Sequence, residues 1–188
     1  KVKQDADPSL MLTSLNSLVT LDQVVHLSAG PIHRTAASPF PFTHMLHSRY
    51  ASKDDLQAYA VHPAHVSAVK DHVLPACEDV MAVDWVADDA DLPSPPPGSA
   101  LRFTFLKLKE EAAKEEVLGV VKGIKDVFGN GKISQLTCGE NFSPARAKGY
   151  SLASVAVFPG LDEMDAVTSD KAAVESHKQL VRDRLDSV

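Results

Sequence analysis

Tyr59, His62 and His65 fall in the run Tyr59-Ala60-Val61-His62-Pro63-Ala64-His65, where two kinds of proton-handling side chain are spaced around a proline. An imidazole titrating near ~6.5 can take a proton at neutral pH, and a phenol titrating near ~10 keeps its own and can donate to a developing enolate oxygen. Tyr59 and His65 could therefore act as electrophilic donor and general base. On an unbroken helix, six residues turn through about 600° and leave the two side chains on different faces. Pro63 alters that geometry: it has no N–H to donate and disfavours helix at His62, so the chain is expected to re-aim there and restart with Pro63 in the first helical position, letting the two side chains converge. The same residues also read as a plain helix-break signature, in which a histidine caps or packs and Tyr59 fills the core. Both readings stand at this point.

Other residues offer less. Seven of the eight histidines, His26, His33, His44, His47, His62, His65 and His72, lie in the first half of the chain. His44 and His47 are three apart in a strand-like run and so point to opposite faces, and no CxxC, HExxH or carboxylate-histidine spacing supports zinc. No metal and no cofactor are expected. Gly129-Asn130-Gly131 is a turn without the residues of a phosphate loop, and no GxSxG marks a nucleophile elbow. The charges of Glu110–Glu116 suit a solvated helix start, with acids favourably placed against the helix dipole. Trp85 sits in an alternating run and is expected to be a core or seam residue.

The elements that must position Tyr59 and His65 occur twice. Residues 51–80 align without a gap on residues 159–188 at a constant offset of 108, and Phe42–Tyr50 falls on Tyr150–Phe158 at the same offset. In the second copy, Ala100–Lys109 alternates as a strand and Glu111–Phe128 carries Val117, Val120, Val121, Ile124 and Phe128 at helical spacing. Strands Lys132–Cys138 and Tyr150–Phe158 follow, then a helical run Leu161–Leu185 interrupted near Asp170, a residue type suited to capping. The first copy gives a helix from about Pro8 to Thr20, strands Val24–Ala29 and Phe42–Tyr50, a helix from Ser52 broken at His62-Pro63, and a fourth strand Val80–Val86. The order is βαββαβ in each half, the ferredoxin-like unit, whose sheet carries both helices on one face. The bare faces would be sizeable apolar patches, so the two sheets are expected to cover one another.

The fold class expected is therefore α+β, with two ferredoxin-like halves packed sheet to sheet as a pseudo-dimeric α/β barrel within one chain. The halves are residues 1–87, with a truncated first strand, and residues 100–188, with the last strand missing; the proline-rich segment 88–99 links them. Across 188 residues the net charge is −6, with 6 Lys/Arg against 12 Asp/Glu in residues 1–94 and 13 of each in residues 95–188. Neither half has the cationic surplus that a phosphate backbone demands, so nucleic acid is not an expected partner. No apolar run reaches the ~20 residues of a membrane span. The two cysteines, Cys77 and Cys138, occupy non-equivalent places in the repeat and are expected to be free thiols. The evenly charged second half is the better suited of the two to self-association.

The stretch FTHMLHSRYASKDDLQAYAVHPAHVSAV, with Thr43-His44 in the third strand and Y-x-x-H-P-A-H after it, resembles the plant stress-responsive dimeric α/β-barrel family in its two-domain form. A distant resemblance extends to olivetolic acid cyclase, which closes a linear polyketide by aldol condensation without a cofactor. The resemblance implies an acid/base pair at Tyr59 and His65 with His44 beside it; His62 and Phe42 are the candidate ligand contacts. Two functions follow as expectations. The first is a stress- or defence-associated barrel that binds a small apolar or partly polar ligand in its first half; the second is a polyketide-cyclase-like enzyme using the Tyr/His pair. The resemblance also points to an intracellular protein, with the chloroplast ahead of cytosol or peroxisome.

Overall fold

A computed structural model describes residues 1–35, 39–89, 92–109, 114–128 and 131–188. The chain divides into two compact units, Lys1–Val80 and Met81–Val188. The expected start of the helix at Glu111, most of the Glu110–Glu116 charge cluster and two residues of the Gly129-Asn130-Gly131 turn lie outside the described residues.

In the first unit, helix α1 (Ser9–Ser17) runs into a 3-10 turn, Leu18–Thr20, and is followed by strands β1 (His26–Pro31) and β2 (His44–Arg49). The strands pair antiparallel, Leu27 opposite Ser48 and Ala29 opposite Leu46. Leu27 and Leu46 therefore share the face on which Leu18, Tyr59 and Ala68 form the core. Near the start of the unit Val2 forms an isolated antiparallel bridge with Cys77, its N–H also donating to Thr43 Oγ1 at 3.0 Å.

Helix α2 (Lys53–Val61) begins where Ser52 Oγ accepts from the Asp55 N–H at 3.1 Å and donates back to the Asp55 carboxylate at 2.7 Å. Asp54 and Asp55 in its first turn complement the dipole. Because one side chain satisfies an otherwise orphaned donor and fixes an acid at the same time, Ser52→Ala is expected to cost about 1 kcal/mol. A urea-unfolding midpoint unchanged by this substitution would contradict that role.

At His62 the backbone turns extended, and α3 (Pro63–Ala68) restarts with Pro63 in its first turn, as the proline predicts. The helix then widens into a π turn, Val69–Val73, before the short α4 (Leu74–Ala76). Pro75 explains the widening, since a proline in an α-helix clashes with the carbonyl four residues back and withholds a donor.

The second unit carries β3 (Ala100–Leu108), α5 (Lys114–Val127), β4 (Gln135–Glu140), β5 (Leu152–Phe158), α6 (Leu161–Ser169), α7 (Lys171–Gln179) and β6 (Leu185–Ser187). Its sheet has the order β4-β5-β3-β6, all antiparallel, which is the ferredoxin-like arrangement. Val117 and Val121 of α5 pack on Leu106, Cys138 and Leu152, while Met164 and Val167 of α6 pack on Ala100, Ile133 and Phe158. The Asp170 carboxylate caps α7 by accepting from the Ala173 N–H at 3.0 Å.

Two expectations about strands are corrected. The last strand of the second copy is present: β6 pairs with β3, Lys107 opposite Ser187, and starts on the last residue of the run Leu161–Leu185 whose sequence reads as helix. The segment Val80–Val86 forms no regular strand and does not close the first unit. From Met81 onward it belongs to the second unit and runs beside β4, with the Ala82 N–H donating to the Arg146 carbonyl at 3.1 Å and the Phe142 N–H to the Asp84 carbonyl at 2.9 Å. Alternation in sequence shows that a segment can lie on a sheet; it does not say which sheet.

Candidate functional site

Tyr59 occupies the last turn of α2 and points into the first unit's core, only 5% exposed. The break at His62-Pro63 brings His65 back against it, the two ring centroids lying 4.4 Å apart at an interplanar angle of 41°. His65 Nδ1 lies 2.9 Å from the Ala60 carbonyl, one of the acceptors that the end of α2 leaves without a helical partner. Nδ1 must therefore carry the proton to donate, which fixes Nε2 as the acceptor nitrogen of the neutral ring.

On its other side Tyr59 meets Tyr50, with ring centroids 5.1 Å apart and a side-chain hydrogen bond between them. Burial first, then Tyr50 as neighbour and hydrogen-bond partner, push the Tyr59 phenol well above its ordinary range. A phenol held this way stays protonated throughout the physiological range and serves as a hydrogen-bond donor. Tyr50 is absent from the candidates that the sequence suggests. Its signal is there all the same, because it follows His44, Leu46 and Ser48 at strand parity and so shares the helix-side face.

The remaining candidates take other places. His62 caps α3, its Nδ1 accepting from the Ala64 N–H at 3.2 Å. Phe42 lies beside Phe40, centroids 6.0 Å apart. His44 opens β2 and contacts Thr43 Oγ1 through Nδ1 at 3.0 Å; partial burial, then the charge of the chain's amino group, lower its pKa. At ~3.4 Å per residue, the strand from His44 to Tyr50 puts their backbones about 20 Å apart. The structure thus brings together Tyr59, His65 and Tyr50, while His44, His62 and Phe42 make the local contacts just described. Among the described residues, no group of three or more His, Cys, Asp or Glu side chains is placed to hold a metal ion, and no helix is long and apolar enough to cross a membrane.

Comparison with known proteins agrees with this architecture. The sequence pattern of the Stress responsive A/B Barrel Domain matches residues 1–87 and again residues 101–188. One stress-response A/B barrel domain-containing protein of Arabidopsis thaliana is 52% identical over 194 residues, covering all of this chain and 73% of that protein. A second Arabidopsis thaliana protein of the same description is 47% identical over 180 residues, covering 94% of this chain and 82% of its own length. Among solved structures, a candidate monooxygenase of Fusobacterium nucleatum superposes with a TM-score of 0.65 at 12% identity, covering 100% of this chain and 84% of that one. Another from Lactobacillus acidophilus gives 0.58 at 8% identity, covering 95% and 80%. At such identities what is shared is the α+β fold. Two tandem matches, two plant relatives of about half-identical sequence and the ferredoxin-like strand order place this chain in the stress-responsive A/B barrel domain family.

Proposed function

We propose that this protein is a stress- or defence-associated barrel protein that binds a small apolar or partly polar molecule in its first unit, on the side of the sheet where Tyr59 and His65 meet. The observation that carries the reading is the convergence of these two side chains across the Pro63 break. Around them Leu18, Leu27, Leu46 and Leu56 provide an apolar lining for a carbon skeleton, while Tyr50, Tyr59 and His65 supply polar groups that would orient it. The descriptions of the Arabidopsis relatives agree with a role in stress.

A second reading, cofactor-independent aldol cyclisation of a polyketide, is favoured by one detail. With its proton on Nδ1, His65 offers Nε2 to accept a proton from carbon, and Tyr59 remains a donor for the enolate oxygen.

Native mass spectrometry after incubation with pooled plant phenolics and fatty acids tests binding. A retained molecule is expected, and His65→Ala should weaken its retention about tenfold, the worth of one hydrogen bond to the ligand. Retention indifferent to His65→Ala removes that histidine from the site. Incubation with linear β-polyketide thioesters separates the two readings: an aldol product lost in both Tyr59→Phe and His65→Ala supports the enzyme, and the absence of any product leaves the binding protein.

A further inference from the structure

Two histidines flank the break between α2 and α3, and their hydrogen bonds demand opposite protonation. His62 Nδ1 accepts from the Ala64 N–H at 3.2 Å, so the neutral ring carries its proton on Nε2. His65 Nδ1 lies 2.9 Å from the Ala60 carbonyl oxygen, so that neutral ring carries its proton on Nδ1. The pair is fixed in opposite tautomers.

The backbone of the break explains why the Ala60 carbonyl meets a side chain at all. In an uninterrupted helix the carbonyls of Tyr59 and Ala60 would accept from the N–H groups of residues 63 and 64. Pro63 has no N–H, and the Tyr59 carbonyl accepts from the His62 N–H at 3.1 Å. Extended backbone at His62, with φ −62° and ψ 134°, re-aims the chain so that the Ala64 N–H goes to the His62 ring. Both helical donors are thereby withdrawn, and the Ala60 carbonyl accepts from His65. His65 is the third residue of α3, so the cap that anchors this first turn anchors the ring as well.

The repeat supplies an internal comparison. At the offset of 108, His62 falls on Asp170 and His65 on Ala173. Asp170 caps α7 from that place, its carboxylate accepting from the Ala173 N–H at 3.0 Å. A cap there needs only an acceptor. In the first unit, however, a carboxylate would set a negative charge beside an imidazole and favour the imidazolium, which has no acceptor nitrogen; a neutral ring caps without that effect.

We propose that His62 is a positioning residue: by capping α3 it holds the neutral His65 ring with its proton on Nδ1, and so keeps Nε2 as the acceptor on which the ligand site depends. This role rests on the function proposed above, where His65 meets the bound molecule. The nitrogen left bare is set by the hydrogen bond its neighbour makes.

The test is NMR of the full chain with isotope-labelled histidine rings, without ligand and at about pH 8, where ordinary imidazoles are neutral. Long-range proton–nitrogen spectra tell a protonated ring nitrogen from a bare one, and spectra of His62→Asn and His65→Ala assign the signals. The parent is expected to show His62 protonated on Nε2 and His65 on Nδ1. In His62→Ala the His65 nitrogens should move toward the averaged values of two exchanging tautomers. In His62→Asn, whose amide oxygen can accept from the Ala64 N–H, they should stay at parental values. Ser52→Ala, which removes the cap of α2 instead, is the control for lost stability and should leave His65 unchanged. Any molecule that the parent retains from the pooled phenolics and fatty acids should be held about fivefold more weakly by His62→Ala and at parental strength by His62→Asn. A parental His65 protonated on Nε2, parent-like His65 signals in folded His62→Ala, or an equal change in Ser52→Ala would overturn the role. Because the tautomers are read in the free protein, a pool from which nothing is retained counts against the ligand site alone.

Discussion

The protein is expected to lose stability as pH falls from 6.5 toward 4, before most of its carboxylates titrate, and His47→Gln is expected to remove most of that loss. His47 is buried on β2, and its pKa is lowered from 6.5 to about 3, by burial first, then by the charges of Arg49 and His26. The unfolded chain then binds a proton near pH 6.5 that the folded chain refuses until about pH 3. Stability from this group is complete above the unfolded value and drains away as pH drops through the interval. Each pH unit is worth at most about 1.4 kcal/mol, so the loss is about 2 kcal/mol by pH 4.5 after allowance for residual solvation. His26 and His177 are also lowered, chiefly by burial, and add in the same direction. Glutamine cannot titrate, so urea midpoints measured at pH 7, 5.5 and 4.5 should fall clearly less in His47→Gln than in the parent. Equal slopes would show that this histidine is not the acid-sensitive group.

That dependence is only half legible in the sequence. Spacing alone places His44 and His47 on opposite strand faces, and so excludes a shared metal. Grouping His47 with His26 and Arg49 needs the antiparallel register, which no local pattern encodes. Where a residue forces its own backbone, the sequence suffices: Pro63 fixes the α2–α3 break, Ser52 and Asp170 fix caps, and the convergence of Tyr59 with His65 follows from the break. Where the outcome rests on partners distant in sequence, it does not. Leu185-Asp186-Ser187 is too short to announce β6 and ends a run of helical pattern. A strand-end tyrosine such as Tyr50 gives no sign of the phenol it will meet.

Gly139→Val is expected to unseat the segment that runs beside β4 and to cost about 3 kcal/mol, an overpacking penalty at the upper end of the usual range. β4 is an edge strand, and its open side is met by residues 82–86 through scattered contacts instead of a regular ladder. Trp85 Nε1–H donates to Thr137 Oγ1 at 3.3 Å, Asn141 Oδ1 accepts from the Asp84 N–H at 3.1 Å, and Asp84 pairs with Arg146 at 3.3 Å. This close approach is possible because Gly139 has no side chain: a Cβ there would lie 2.9 Å from the Val86 carbonyl oxygen and 3.1 Å from Trp85 Cβ. The nearest obstacle is backbone, which cannot swing aside as a flexible side chain would, so the segment itself must lift. Trp85 is the sole tryptophan, and its fluorescence reports the event directly. A red-shifted emission together with a lower urea midpoint is expected for Gly139→Val, whereas Thr137→Val, which removes one hydrogen bond and adds no bulk, should cost about 1 kcal/mol and leave the emission nearly in place. Parent-like emission and midpoint in Gly139→Val would mean that the segment does not depend on this glycine, and that the edge of β4 is covered in some other way.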